Sequence, residues 1–309
     1  MLVKKTVDEW LNDIDYDDDP TYVPSEFALE FVSFIKLVNG EKGEENKTPI
    51  IHYKMLDKIA GKNQNTANMC ARGLAKTTIF AEYLFLYIAV YGAIPGFGVV
   101  DYALYLSDSI ENGVKKMRLR VERRCENSEF LKKYITETRF TDIRWYFKNA
   151  EGKEFVVTGH GAKTGVRGTV ELNTRPHLAV LDDLLGDEDA RSATIIENVE
   201  NTVYSAIDYA LHPNKRKVIW SGTPFNAKDP LYKAIESGVW HVNVYPVCET
   251  FPCSSEEFKG AWEDRFSYDY VNTQYLKAKG AGHLDSFNQE LMLRITSEED
   301  RLIQDSDLI

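Results

Sequence analysis

Cysteine is scarce: the 309-residue sequence has four, Cys70, Cys125, Cys248 and Cys253. So few exclude a disulfide framework. Cys248 and Cys253 have no matching Cys/His pair elsewhere, so a zinc site built on them would lack half its ligands. Reduced thiols are expected. Positive charge is also in deficit, with 37 Lys and Arg against 48 Asp and Glu and a net charge of −11. That excludes a uniformly basic nucleic-acid coat, but not a local basic surface. The first residues carry Asp8 and Glu9 where a secretory leader would have its apolar run. Only one long apolar run occurs, residues 79–100, with Glu82 as its single formal charge. Its length would cross a bilayer. However, Gly92, Pro95, Gly96 and Gly98 break it into a helix of about four turns and a loop. A buried helix is expected, and no membrane contact.

Aromatic residues are plentiful, at 17 Tyr, 15 Phe and 5 Trp. They supply too much apolar surface for a disordered chain. The length allows two compact units, or one large α/β unit with appendages. Residues 1–48 hold five basic and twelve acidic side chains, most of the excess negative charge. Within them, Asp17-Asp18-Asp19-Pro20 reads as a solvated turn or helix start, and 27–38 as an amphipathic helix. From about residue 65, short apolar runs alternate with helical stretches, the signature of a mostly parallel sheet. Strands are predicted at 66–70, 103–107, 177–182, 217–221 and 240–247. Helices are predicted at 77–91, 110–125, 192–211 and 230–237. Residues 143–147 and 154–158 flank a turn and read as a hairpin. After Phe251 the pattern turns helical (268–279, 283–293), then polar. The division expected is an acidic helical extension (1–48), an α/β core (49–250), and a small helical subdomain leading into a linker (251–309).

Cys70-Ala-Arg-Gly-Leu-Ala-Lys-Thr-Thr78 lies between a short strand and the apolar helix. It approximates the phosphate-loop pattern G-x-x-x-x-G-K-[ST], with Cys70 and Ala75 at the glycine places. Lys76 is suited to β/γ-phosphates and Thr77 to Mg²⁺, and the amides at the helix start face an anion. A Lys-Thr pair opening any buried helix would look much the same. Arg72 is either a surface arginine on a turn or a fixed cation near a γ-phosphate. Further on, His177–Asp183 is an apolar strand ending in two carboxylates. Carboxyl ends of parallel strands face the ligand crevice. There Asp182 would hold Mg²⁺ and Asp183 would orient or deprotonate water; alternatively Asp183 only caps a turn. Lys217–Phe225 is another buried strand, ending in Ser221-Gly-Thr-Pro224. Ser221 and Thr223 could hydrogen-bond a γ-phosphate, or the triplet is merely a turn. Val114–Arg124 has six basic residues and one acid. On a helix, Lys115, Arg118 and Arg120 would face outward as a phosphate-binding stripe, or as an ordinary solvated face. Lys215-Arg-Lys217 is a weaker stripe.

Taken in order, these stretches resemble the ATPase domain of the large terminase subunit, the DNA-packaging motor of tailed bacteriophages. Ala71–Thr78 resembles that family's deviant Walker A, Leu178–Asp183 its Walker B, and Ser221–Pro224 its coupling motif. Pro49–Tyr53 and Gly161–Gly168 with Arg175-Pro176 also fit, so the likeness spans roughly 49–295. Ala75 for Gly and Asp183 for Glu depart from the pattern. The resemblance implies a P-loop NTPase fold of the ASCE/RecA-like type, with ATP and Mg²⁺ as cofactors. It implies a nucleotide site formed by Ala71, Arg72, Gly73, Leu74, Ala75, Lys76, Thr77 and Thr78, with His52 and Tyr53 near the adenine. Thr77 and Asp182 would hold the metal. Asp183, Arg72, Arg167 and Thr223 would take catalytic roles, and Arg167, between Gly165 and Gly168, would act on a neighbouring subunit's ATP. Double-stranded DNA, the portal protein and the small terminase subunit are the implied partners. A homo-oligomeric ring in the host cytoplasm is the implied setting. The family's nuclease domain is not expected in these residues. Two other readings stay open: another P-loop motor such as a helicase, and a nucleotide-binding scaffold that has lost turnover.

Overall fold

The structure, a computed structural model, describes residues 2–16, 21–43, 46–62, 65–163, 166 and 169–295. Asp17–Pro20, Thr164, Gly165, Arg167, Gly168 and 296–309 lie outside them. Eight strands form one sheet: β1 (Asn65–Cys70), β2 (Tyr102–Ser107), β3 (Ile135–Phe140), β4 (Arg144–Asn149), β5 (Glu154–Gly161), β6 (Leu178–Asp182), β7 (Lys217–Gly222) and β8 (His241–Tyr245). Their spatial order is β8-β1-β7-β6-β2-β5-β4-β3. The first six run parallel, and β4 and β3 are added antiparallel. The five strands and the hairpin read from the sequence are all present. β3 was not anticipated: Ile135-Thr-Glu-Thr-Arg-Phe140 is polar and buries only Ile135, as a terminal strand of a sheet can.

The parallel strands are covered on both faces, and their residues alternate between two apolar layers. Along β6, Leu178 and Val180 face one layer and Ala179 and Leu181 the other. On the first face lies helix 78–91, a π-helical opening (Thr78–Tyr83) followed by an α-helix (Leu84–Tyr91). It is buried up to Val90 and stops at Gly92, whose φ of 76° is the left-handed cap that glycine adopts without strain. The apolar run is thus a core helix. Among the described residues no helix is long and apolar enough to cross a membrane. Helix Glu26–Asn39 packs on the same face, with Phe27, Phe31 and Phe34 ringing Tyr87 at centroid distances of 5.3–5.5 Å. Trp262, Phe266 and Phe287, from beyond residue 251, join this layer too.

Two features place the site. β7 lies between β1 and β6, pairing Met69 with Gly222 and Asp182 with Ser221. The carboxyl ends of three strands therefore meet at one edge. Beneath them a buried polar ladder crosses the sheet. Asn243 Nδ2 donates to Asn68 Oδ1 (2.7 Å), and Asn68 Nδ2 donates to the Trp220 carbonyl (3.2 Å). The amide of Asn68, buried in the middle of this polar strand, is thus satisfied in place.

The helix over β5 sits so close that only glycine fits at 159. A Cβ there would lie 2.1 Å from Val114 Cγ1. Gly159→Ala should cost about 1–3 kcal/mol of unfolding free energy through overpacking. Adding Val114→Ala should recover part of that loss, which a denaturant-unfolding double-mutant cycle would measure.

Candidate active site

The loop after β1 is held from three sides. Ala71 N–H donates to the Tyr245 carbonyl and Arg72 N–H to the Glu290 carbonyl, both at 2.9 Å. The buried His52 Nε2 donates to the Leu74 carbonyl (2.9 Å). Burial pushes the His52 imidazole down to about 4, so the ring is neutral at ordinary pH. Gly73 has φ 90° and Ala75 φ 60°. The left-handed backbone explains why a glycine is usual at the sixth place of such loops. Here alanine adopts it at a cost of roughly 1 kcal/mol.

Lys76 is buried and points along the ends of the strands. Its Nζ donates to Thr223 Oγ1 (3.2 Å) and lies 3.3 Å from Asp183 Oδ2. Thr77 Oγ1 donates to Asp182 Oδ1 (2.8 Å). Tyr105 OH and Ser221 Oγ donate to the same carboxylate, at 3.1 and 3.3 Å. Thr223 Oγ1 donates to the Cys70 carbonyl (2.7 Å), and Thr223 N–H to Asp183 Oδ1 (3.3 Å). Asp183 has φ 44°, a second non-glycine residue in the left-handed region. Lys76, Thr77, Asp182, Asp183 and Thr223, far apart in sequence, line one cavity of about 530 Å³ together with Arg72 and Tyr105.

Electrostatics matches the geometry. Burial, reinforced by the neighbouring Asp183, pushes the Asp182 carboxyl up to about 6, against the pull of Lys76 and the hydrogen bonds from Thr77 and Tyr105. Burial alone would lower Lys76, but Asp183 and Asp182 hold it above its ordinary value. The result is a buried anion short of positive charge, which favours a cation arriving with a ligand. Its donor set of one carboxylate and one hydroxyl offers hard oxygens, the chemistry Mg²⁺ takes when phosphates and water complete the shell. Among the described residues no group of three or more His, Cys, Asp or Glu could hold a metal.

The remaining expected site residues have contacts of their own. His52 and Tyr53 do not line this cavity. His52 packs edge-on against Trp262 behind the loop (4.9 Å between centroids), where an apolar helix face buries it. Thr78 Oγ1 accepts from Arg120 (3.0 Å). Arg72, with its side chain 64% exposed, forks onto Glu290, with Nη2–Oε1 at 2.9 Å. Arg167 is outside the described residues.

The basic stripe does not present the bare outward face its sequence implied. Lys115 pairs with Glu111 and Asp142, and Arg118 with Glu122 and Asp142. Arg120 and Arg124 both pair with the buried Glu82 of the loop helix. Lys116 and Arg120 line the cavity itself. Sequence reasoning missed Tyr105, Lys116 and Glu290. Tyr105 had one signal, a polar tip within a wholly buried strand.

A parallel sheet with the loop strand and the carboxylate strand separated by one strand, and a Lys-Thr pair at its carboxyl edge, defines a RecA-like P-loop fold. Solved structures agree on the fold. The chain is similar to the large terminase ATPase domain of Thermus phage P74-26, with a TM-score of 0.50 and 12% identity over 89% of this chain and 100% of that one. A point mutant of that domain matches with a TM-score of 0.54 and 11% identity over the same shares. No protein-family model and no curated protein matches the sequence.

Two outcomes follow. Asp182 has a raised carboxyl pKa, so the folded state takes up its proton between about 6 and 3.8 as pH falls, and the charged form opposes folding at neutral pH. Asp182→Asn should therefore raise unfolding free energy at pH 7 by about 1–3 kcal/mol in denaturant unfolding. That gain should shrink as pH drops below about 6, where the wild-type carboxyl takes up its proton, readable by the same unfolding at several pH values. Separately, Ala75→Gly should stabilise the protein by up to about 1 kcal/mol in thermal unfolding by relieving the left-handed alanine.

Proposed function

We propose that this chain hydrolyses ATP with Mg²⁺ and uses the cycle to move double-stranded DNA into a viral procapsid, as the ATPase part of a terminase large subunit. The observation that carries the reading is the 2.8 Å contact between Thr77 and Asp182, with Lys76 and Asp183 beside it in one cavity. The loop amides at 73–78 and Lys76 would bind the β- and γ-phosphates, and Thr77 and Asp182 would hold the metal. Bound there, Mg²⁺ would neutralise charge developing on the phosphates. Asp183 would orient the attacking water once Lys76 turns to the phosphate. Thr223, bonded to both Lys76 and the Cys70 carbonyl, would sense the γ-phosphate at the end of β7. Arg72 would leave Glu290 to stabilise transferred charge, and Arg167 would serve a neighbouring subunit in a homo-oligomeric ring. Portal protein and small terminase subunit as partners, and the host cytoplasm as setting, belong to the same proposal and rest on the family likeness.

One observation favours a weaker enzyme. Asp183 is shorter than the usual Glu, and both its oxygens are engaged, one near Lys76 and one by the Thr223 amide. A steady-state ATPase assay decides between the readings. Lys76→Ala and Asp183→Asn should each lower kcat about a hundredfold or more. Equal background rates in wild type and both variants would leave a nucleotide-binding scaffold. Stimulation of the wild-type rate by double-stranded DNA would support the motor.

A further inference from the structure

A second cavity, of about 540 Å³, lies on the far side of Arg72 and Glu290, and those two residues line both cavities. The loop backbone at Gly73 separates them. A Cβ on Gly73 would lie 2.8 Å from Phe266 Cζ, so the absent side chain lets the loop rest directly on that ring. Phe266 is buried, whereas Tyr270, one helical turn on, is 42% exposed with its ring 5.5 Å from that of Phe266. Gln274 and Ser286 add polar groups to the same wall.

We propose that this aromatic cavity takes the nucleobase of the nucleotide whose phosphates enter the Lys76 cavity; the inference rests on the function proposed above and deepens it. Continuity is the first argument. Arg72 and Glu290 line both cavities, so the space that adjoins the phosphate cavity beside the loop is this one. Chemistry is the second. Aromatic faces stack on a base without regard to its identity, while an amide and a hydroxyl can bond its edge. His52 itself is not open to a base, because it is buried behind the loop with its Nε2 committed to the Leu74 carbonyl. Base binding would then belong to Phe266 and the helical segment that follows it, not to the segment preceding the loop. An occupied base site would tie that segment to the nucleotide state.

Calorimetric titration of the whole chain with Mg²⁺·ATP and with Mg²⁺·tripolyphosphate, which has no base, tests this. Wild type should bind ATP roughly tenfold or more tighter than tripolyphosphate, the size of one stacked base. Tyr270→Ala should remove most of that advantage and leave tripolyphosphate affinity within about twofold. Tyr270→Phe, which keeps the ring, should restore ATP binding. Equal wild-type affinities for the two ligands, or a Tyr270→Ala effect of the same size on both or on neither, would overturn the base site alone. Weakened single-stranded oligonucleotide binding with unchanged ATP binding in Tyr270→Ala would also overturn it, assigning the rings to nucleic acid. Failure of wild type to bind either ligand would sink the proposed function and this inference together.

Discussion

A carboxylate buried at the end of an apolar strand is the constraint on which the rest of the molecule depends. Asp182 can stay ionised there only because three hydroxyls, from Thr77, Tyr105 and Ser221, donate to it and Lys76 stands nearby. Each donor comes from a different element: the loop helix, β2 and β7. Holding them within bonding distance requires β7 to lie between β1 and β6 and the loop to turn sharply enough to aim Thr77 back at the sheet. The strained backbones at Ala75 and Asp183 belong to the same requirement. Proteins keep such strain where geometry matters more than stability.

Much of this was legible from local sequence. The alternation of apolar runs with helical patterns located five of the six parallel strands to within a residue or two, because most strands buried on both faces are apolar throughout. The Lys76-Thr77, Asp182-Asp183 and Ser221–Thr223 clusters were found because each ends such a strand or opens the next helix. What stayed hidden were pairings across long separations. Arg72 meets Glu290 from 218 residues away, and nothing around either residue marks the other. The basic stripe resembled a DNA surface because Glu82 and Asp142, which neutralise much of it, lie in other elements. His52 gave a ring at the expected place in sequence, but a one-residue rotation on a helix decides whether a ring faces a ligand or the core.

The helical segment near the end of the described chain links the parts. Glu290 holds Arg72 by backbone and side chain, Gln289 Nε2 donates to the Pro224 carbonyl (3.2 Å), and Leu291 accepts from Val247. One short segment therefore touches the loop, the turn after β7 and the chain after β8. Any ligand that draws Arg72 away from Glu290 changes the anchoring of that segment, while the turn carrying Thr223 is read by its neighbour Gln289. Under the proposed function, this would be a physical route from phosphate chemistry to the small helical region without altering the sheet.

The central claim is that the Thr77 hydroxyl and the Asp182 carboxylate share one metal ion beside a triphosphate. A metal-preference switch tests it most directly. Replacing the hydroxyl by a thiol in Thr77→Cys should abolish hydrolysis with Mg²⁺ and restore it with a thiophilic ion such as Cd²⁺, whereas wild type keeps its preference for Mg²⁺. Unchanged Mg²⁺-supported hydrolysis in Thr77→Cys would contradict the claim.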